Sequence, residues 1–489
     1  MRQLKYIAPG LLLIILLWVA NTRASDLRIG AATADITPAL PVALWGQFNL
    51  RIAHTAATPL TANVLALESR EGEQSLDSAI LVSCDLVEIP KDVLGLVRDE
   101  VHRRLPSLDA DKIFLIAIHT HTAPVLEDGH YLIPKEGVTQ VDAYRAFFVQ
   151  RVAGAITQAW NGRAPGSVAW GLGHAVVAQN RRAAYADGSS RMYGATNVPE
   201  FRNLEGYEDH DVNLLFFWNE SGKLVATIIE VACPTQEVEN DTQVSADFWH
   251  PARVALRQQF GQDLCVLAMV GAAGDQSPHL MYRKAAEERM RSLRKLSRLE
   301  EIARRIVPAV EETYEVVKKD RHADVPLVHK VETHALPMRL VTELEYAEAK
   351  AECDKAAAQI AADPKAADQV YMRLKWNEGV VKRFEKQKTD PQPKYEIELH
   401  VLRIGDVALC TNPFELFTDY GIRIQARSKA LQTFVIQLVG AGSYLPTEKA
   451  VRGGSYSAIV QSNVVGPEGG QILVDRTVEL INGLWSDTK

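Results

Sequence analysis

Short apolar runs bounded by polar or turn-forming residues recur along the chain from Leu27 onward. Residues 79–83, 113–118, 212–218, 225–232, 264–270 and 433–439 are rich in Val, Ile and Leu, the pattern of strands buried on both faces. Between some of them the period becomes helical. In 91–105 the apolar residues Val93, Leu94, Leu96, Val97 and Val101 share one helical face, and 143–160 reads the same way. After Pro278 the pattern shifts. Residues 281–319 are rich in Arg and Glu with a helical period; 344–388 repeat that character with an interruption near Pro364; 326–340 between them have strand character. The stretch 279–390 therefore reads as a largely helical insert whose charges form a solvated face, with a docking surface as the alternative. Strand character returns at 395–404 and 407–410. The expectation is an α/β fold: mixed β-sheets with flanking helices and a charged helical insert, in a single large domain over 25–489.

With 489 residues, 47% hydrophobic and 24% charged, the chain can build a large core with ordinary globular composition. Its formal net charge of -7 and lack of a basic tract exclude a general attraction for nucleic acid. The N-terminus adds a compartment. Arg2 and Lys5 precede an apolar run, 7–20, and then Asn21, Thr22, Arg23, Ala24 and Ser25. This layout is that of a signal peptide spanning 1–24, and it predicts export to a periplasm or the cell exterior. An uncleaved anchor is the alternative, but the run is shorter than the roughly 20 residues a spanning helix needs. The five cysteines, Cys84, Cys233, Cys265, Cys353 and Cys410, are too sparse and odd in number for a disulfide framework; Cys265 and Cys410 read as core residues.

Four polar motifs each follow an apolar run. His119-Thr120-His121-Thr122-Ala123-Pro124 follows 113–118. If the strand persists through His121, both imidazoles share one face, an arrangement suited to a divalent cation such as zinc; polar residues ending a strand are the alternative. Gly271-Ala272-Ala273-Gly274-Asp275-Gln276-Ser277-Pro278 follows 264–270. Its Ser277 reads as nucleophile, substrate-binding hydroxyl or helix N-cap. In Asn412-Pro413-Phe414-Glu415, a Glu amid apolar residues calls for a cationic partner unless the loop is exposed. Gly440-Ala441-Gly442-Ser443-Tyr444, with Tyr456 beyond, is a Gly-rich turn bearing tyrosines that alone read as packing residues.

Taken in order, these motifs resemble the catalytic domain of the neutral/alkaline, non-lysosomal ceramidases. Gly30-Ala31-Ala32-Thr33-Ala34-Asp35-Ile36-Thr37-Pro38 is similar to the family's opening segment, with Gly46 following, and Asn180-Arg181 to its Asn-Arg motif. The resemblance runs from about Gly30 to Tyr456. It implies a ceramidase-like catalytic domain over 25–489 and a zinc hydrolase of N-acyl bonds with one zinc per chain. His119, Glu415 and Tyr444 would be metal ligands. His121, Ser277, Tyr456 and Arg181 would line the site and act in catalysis or substrate contact. Two departures stand out. Where the family has a further ligand histidine, this chain reads Glu230-Val231-Ala232-Cys233-Pro234-Thr235. Cys233, His250, Gln236, Glu237 and Glu239 are the candidates to replace it. The family's C-terminal β-sandwich is expected to be absent, since little sequence follows the last motif. The expected partner is a small-molecule or lipid substrate, with peripheral membrane contact open. Two rivals stand beside the hydrolase: a non-catalytic lipid- or glycan-binding protein of this fold, and a hydrolase of another N-acyl compound.

Overall fold

The apolar runs are continuous because both faces of their strands are buried. In the antiparallel pair Thr61–Glu71 and Gln74–Cys84, Val64, Ala66, Ile80 and Val82 point into one core. Their neighbours Leu65, Leu67, Ala79 and Leu81 point into another. The two-residue period of a strand thus feeds two separate interiors, and burial of each large aliphatic side chain contributes about 1.5–3 kcal/mol. The computed structural model describes residues 26–363 and 367–485; the leader expected at 1–24 and Pro364 lie outside them.

The architecture is two sheets face to face, with helices outside both. The larger sheet runs, edge to edge, Cys265–Val270, Leu224–Val231, Asp211–Asn219, Ala164–His174, Asp26–Asp35, Thr61–Glu71, Gln74–Cys84 and Ile113–Ala117. The smaller runs Leu327–Pro337, Lys394–Ile404, Val407–Thr411 and Gln432–Ile436. Between them lies a core that joins Leu65, Ile116 and Leu215 to Leu402, Ile404 and Phe434. The helices Lys91–Arg104 and Val141–Asn161 cover one half of the larger sheet's outer face. Trp249–Phe260 and Arg298–Val317 cover the other half. Thr418–Arg427 and Pro467–Gly483 cover the smaller sheet. This is the mixed α/β fold expected from the pattern.

Three connections are parallel crossovers through a helix. Lys91–Arg104 joins Gln74–Cys84 to Ile113–Ala117, Trp249–Phe260 joins Leu224–Val231 to Cys265–Val270, and Thr418–Arg427 joins Val407–Thr411 to Gln432–Ile436. Ligand sites of open α/β sheets collect outside the carboxyl ends of such strands. Here the segments leaving these ends are bonded to one another, two of the bonds crossing between the sheets. Gln437 N–H donates to Val270 O at 3.0 Å, Ala117 N–H to Leu438 O at 3.2 Å and Thr235 N–H to Ile118 O at 3.2 Å.

The charged region divides in two. Arg298–Val317 begins at a Ser297–Glu300 capping box and buries Ile302, Ile306 and Val310 in the core over the larger sheet. Glu343–Ala362 and Ala367–Thr389 form a separate pair with its own small core of Ala349, Val380 and Phe384. The second of these helices turns Met372 and Trp376 toward the cavity described below. All five cysteines are free and buried. Among the described residues no helix is long and apolar enough to cross a membrane.

Candidate active site

The histidine pair is not on a strand. The strand ends at Ala117, and His119 adopts a left-handed backbone with φ 68, uncommon for a residue with a Cβ. The loop is held there from outside. Ile118 N–H donates to Cys84 O, His119 N–H to Leu86 O, and the Thr120 hydroxyl to Ser245 O. His119 Nδ1 donates to Val87 O at 2.8 Å, so its Nε2 presents a lone pair. This bond also fixes the ring orientation, as a second shell does for a metal-binding histidine.

Across from it, Gln236 accepts from Arg181 through its carbonyl oxygen at 3.1 Å and donates its amide N–H to His121 Nε2 at 2.8 Å. His121 Nε2 is therefore a lone pair too. The two Nε2 atoms face each other at 3.3 Å, and Glu415 Oε2 lies 3.5 Å from His119 Nε2. Such an arrangement is repulsive unless positive charge lies among the three atoms, either a bound cation or a proton on His119 Nε2, which Glu415 favours. Zinc–nitrogen bonds of about 2.0–2.1 Å at tetrahedral angles place ligand nitrogens about 3.3 Å apart, so the spacing of the two imidazoles matches a zinc-binding pair. Among the described residues no three His, Cys, Asp or Glu side chains are arranged to hold a metal ion by themselves. Completing a shell therefore calls on Tyr444 or Gln236.

Glu415 and Tyr444 are register partners in a short parallel pair, which sets the Tyr444 phenol in the field of the Glu415 carboxylate. Arg181, 1% exposed, reaches Tyr444 OH at 3.2 Å, Gly274 O at 3.0 Å and Tyr193 OH at 3.2 Å, and lies 3.6 Å from Glu415 Oε2. The environment sets the protonation states. Burial disfavours the imidazolium of His119, but Glu415 opposite and the Val87 carbonyl outweigh it and leave its pKa raised. Burial and the neighbouring His119 hold His121 well below the usual range. Burial and then Glu415 push the phenols of Tyr444 and Tyr456 upward, so both stay protonated.

Two glycines account for motif positions that had no chemical role in the sequence. At Gly274 a Cβ would lie 2.3 Å from Glu415 O, and at Gly46, with φ +102, it would lie 2.5 Å from His121 Cγ. Asp275 binds the motifs together: it accepts from Asn180 Nδ2 and from both Thr418 N–H and hydroxyl, while Arg181 N–H donates to its carbonyl.

The site opens into a cavity of about 410 Å³ with Trp45, Phe48, Tyr131, Trp376, Tyr395 and Tyr456 in its wall, and with His119, His121, Glu415 and Tyr444 reaching it. Ser277 does not reach the wall. Its hydroxyl is fully buried, accepts from Tyr193 OH at 3.0 Å and from His279 N–H, and caps no helix, since the next one starts at Lys284. Cys233 is packed with Ile118, Val231 and Phe248, and burial raises its thiol well above the ordinary range, which opposes a thiolate. His250 stands on its helix near Arg253 and Asp85, outside the cavity wall. Gln236 instead reaches His121, with Glu239 Oε2 3.7 Å from the same ring. Glu88, Trp376, Tyr193 and His279 were absent from the sequence reading. Glu88 follows the apolar run 79–83 as the recognised motifs follow theirs; the other three carry no local signal.

No family model matches the chain, and no curated protein matches it. Solved structures do. The fold superposes on neutral ceramidase from Pseudomonas aeruginosa with a TM-score of 0.67 at 16% identity, covering 94% of this chain and 74% of that one. A ceramidase complexed with C2 matches with a TM-score of 0.65, also at 16% identity, over 94% and 75%. The chain shares the fold of these two ceramidase structures over nearly all its length.

Proposed function

We propose that this protein is an exported amide hydrolase that cleaves an N-acyl bond, with a ceramide-like lipid as the first substrate class, and that it uses a zinc ion held by His119, Glu415 and Tyr444 with His121 beside it. One observation carries the reading: two imidazole lone pairs and a carboxylate converge at the floor of an aromatic-walled cavity, in a fold shared with neutral ceramidase. Zinc bound there would lower the pKa of a water and polarise an acyl carbonyl. The remaining work belongs to the chain's own groups. The Val87 carbonyl holds His119 in the tautomer that leaves Nε2 free. The buried Arg181 guanidinium, behind the cavity wall, holds the Tyr444 hydroxyl and balances the Glu415 carboxylate. Tyr444 and Tyr456, kept protonated, donate to that oxygen or to the departing amine. The aromatic wall takes up apolar substrate surface and excludes water. The pattern of 1–24 supports export.

Two observations favour rivals. Gln236 on His121 and Arg181 beside Glu415 suit a non-catalytic binder, whose polar groups satisfy one another. A cavity of about 410 Å³, in the lower half of the range for small-molecule sites, suits a compact N-acyl compound.

The test is metal content of the mature protein beside a His119→Ala/Glu415→Ala double variant, followed by amine release from N-acyl substrates. About one zinc per chain, lost in the variant together with hydrolysis, supports the reading. A metal-free wild-type protein that hydrolyses no N-acyl amide when zinc is supplied refutes it.

A further inference from the structure

Among the described residues, the carboxylate of Glu88 takes no hydrogen bond and no ion pair, although it lines the cavity beside the histidines. Burial pushes its carboxyl up to about 7, and His119, His130, Glu127 and Glu415 are the charged groups that act on it. His130 is already paired with Glu127 at 3.1 Å and set against the Trp45 ring at 5.0 Å. Glu88 is half-buried on this wall, and a carboxylate with no direct partner in such a place gains from a cation beside it.

Several of the polar side chains around it are bonded elsewhere. Tyr131 OH donates to Gln47 O and Tyr395 OH to Ala441 O. Gln47 donates to Glu239 O, Gln461 to Asn377 Oδ1, Ser443 to Tyr444 O and Ser462 to Tyr456 O. Away from the histidines, Glu415 and the hydroxyls of Tyr444 and Tyr456, what the wall offers beyond Glu88 is mainly ring surface. Trp376 meets Phe48 at 5.3 Å and Tyr456 at 5.6 Å between ring centroids, and Trp is the strongest of the cation–π partners. A sugar ring needs donors for its hydroxyl oxygens. A quaternary ammonium has no lone pairs to satisfy and gains from both a carboxylate and aromatic faces.

We infer that the substrate of this cavity carries an alkylammonium head, seated between Glu88 and the aromatic wall to which the helix Ala367–Thr389 contributes Trp376. The inference rests on the reading of this cavity as the substrate site and narrows that reading to a cationic class of N-acyl compound.

The experiment measures binding and needs no turnover. The purified protein is titrated calorimetrically with butyltrimethylammonium, with its isostere in which carbon replaces the nitrogen, and with butyl glucoside. The ammonium compound is expected to bind roughly tenfold tighter than the isostere. Glu88→Gln should erase most of that preference, and Trp376→Ala should weaken ammonium binding, with circular dichroism verifying both folds. Equal binding of ammonium and isostere by the wild-type protein, tighter binding of the glucoside, or a preference unchanged in Glu88→Gln overturns the inference. An ammonium preference in a protein that hydrolyses no amide would fell the hydrolase reading alone. Hydrolysis of N-acyl amides without that preference would fell this inference alone.

Discussion

Replacing Glu230 by glutamine is expected to stabilise the fold increasingly as pH rises. Glu230 lies on the strand Leu224–Val231, 3% exposed, with its Oε2 accepting from Asn213 Nδ2 at 3.0 Å. Burial, reinforced by Asp209, pushes its carboxyl from 4.5 up to about 8. The unfolded chain releases this proton near 4.5, and the folded chain keeps it until about 8. The folded state therefore binds more protons across that window. Its stability from this group is complete below 4.5 and is lost as pH rises through about 8. At about 1.4 kcal/mol per pH unit the full window is worth about 5 kcal/mol, of which about 3–4 kcal/mol falls between about pH 5 and about pH 8. Glutamine keeps an acceptor for Asn213 and does not ionise. Urea unfolding followed by tryptophan fluorescence, for both proteins at the two pH values, reads the effect as a difference of differences. The wild type should lose about 3–4 kcal/mol more than Glu230→Gln on going from about pH 5 to about pH 8. Parallel losses in the two proteins would refute the assignment of a proton to Glu230.

Gly46→Ala should disable the site while sparing the fold. The added Cβ meets the His121 ring and the backbone has φ +102, at a strain of about 1–3 kcal/mol; the expected outcome is loss of amide hydrolysis with near-native circular dichroism, and retained hydrolysis would contradict it. Arg182, fully buried, pairs with the equally buried Glu205 at 2.5 Å and also holds the Ala450 and Gly454 carbonyls. Arg182→Met strands the carboxylate and should cost about 3–5 kcal/mol in urea unfolding. The double change Arg182→Met/Glu205→Leu should recover part of this, and no recovery would mean that the carbonyl contacts matter more than the stranded charge.

Much of this protein is legible along the chain. The apolar runs read as buried strands, the helices at 91–105 and 143–160, and the return of strands after the charged region correspond to elements within a few residues of their expected ends. The rule that polar motifs follow apolar runs also led to His119, His121, Glu415 and Tyr444, because strand periodicity and strand ends are local properties of sequence. Local properties also misled. Period two placed the histidines on one strand face, whereas a left-handed His119, pinned by Cys84, Leu86 and Ser245, brings the rings together. Ser277 read as nucleophile, substrate-binding hydroxyl or helix N-cap, yet it is buried and its hydroxyl is taken by Tyr193 and by the His279 N–H. Cys233, in the stretch where a further ligand histidine was expected, is turned into the core, and Gln236 reaches the site in its place. Gly46, Glu88, Arg181, Gln236, Trp376 and Glu415 are far apart in the chain. They meet because two sheets stack with the segments leaving the carboxyl ends of three crossovers bonded to one another. Sequence alone therefore determined the elements and where chemistry tends to collect. The partners of each group were decided by sheet order, register and crossover, which depend on packing between segments hundreds of residues apart.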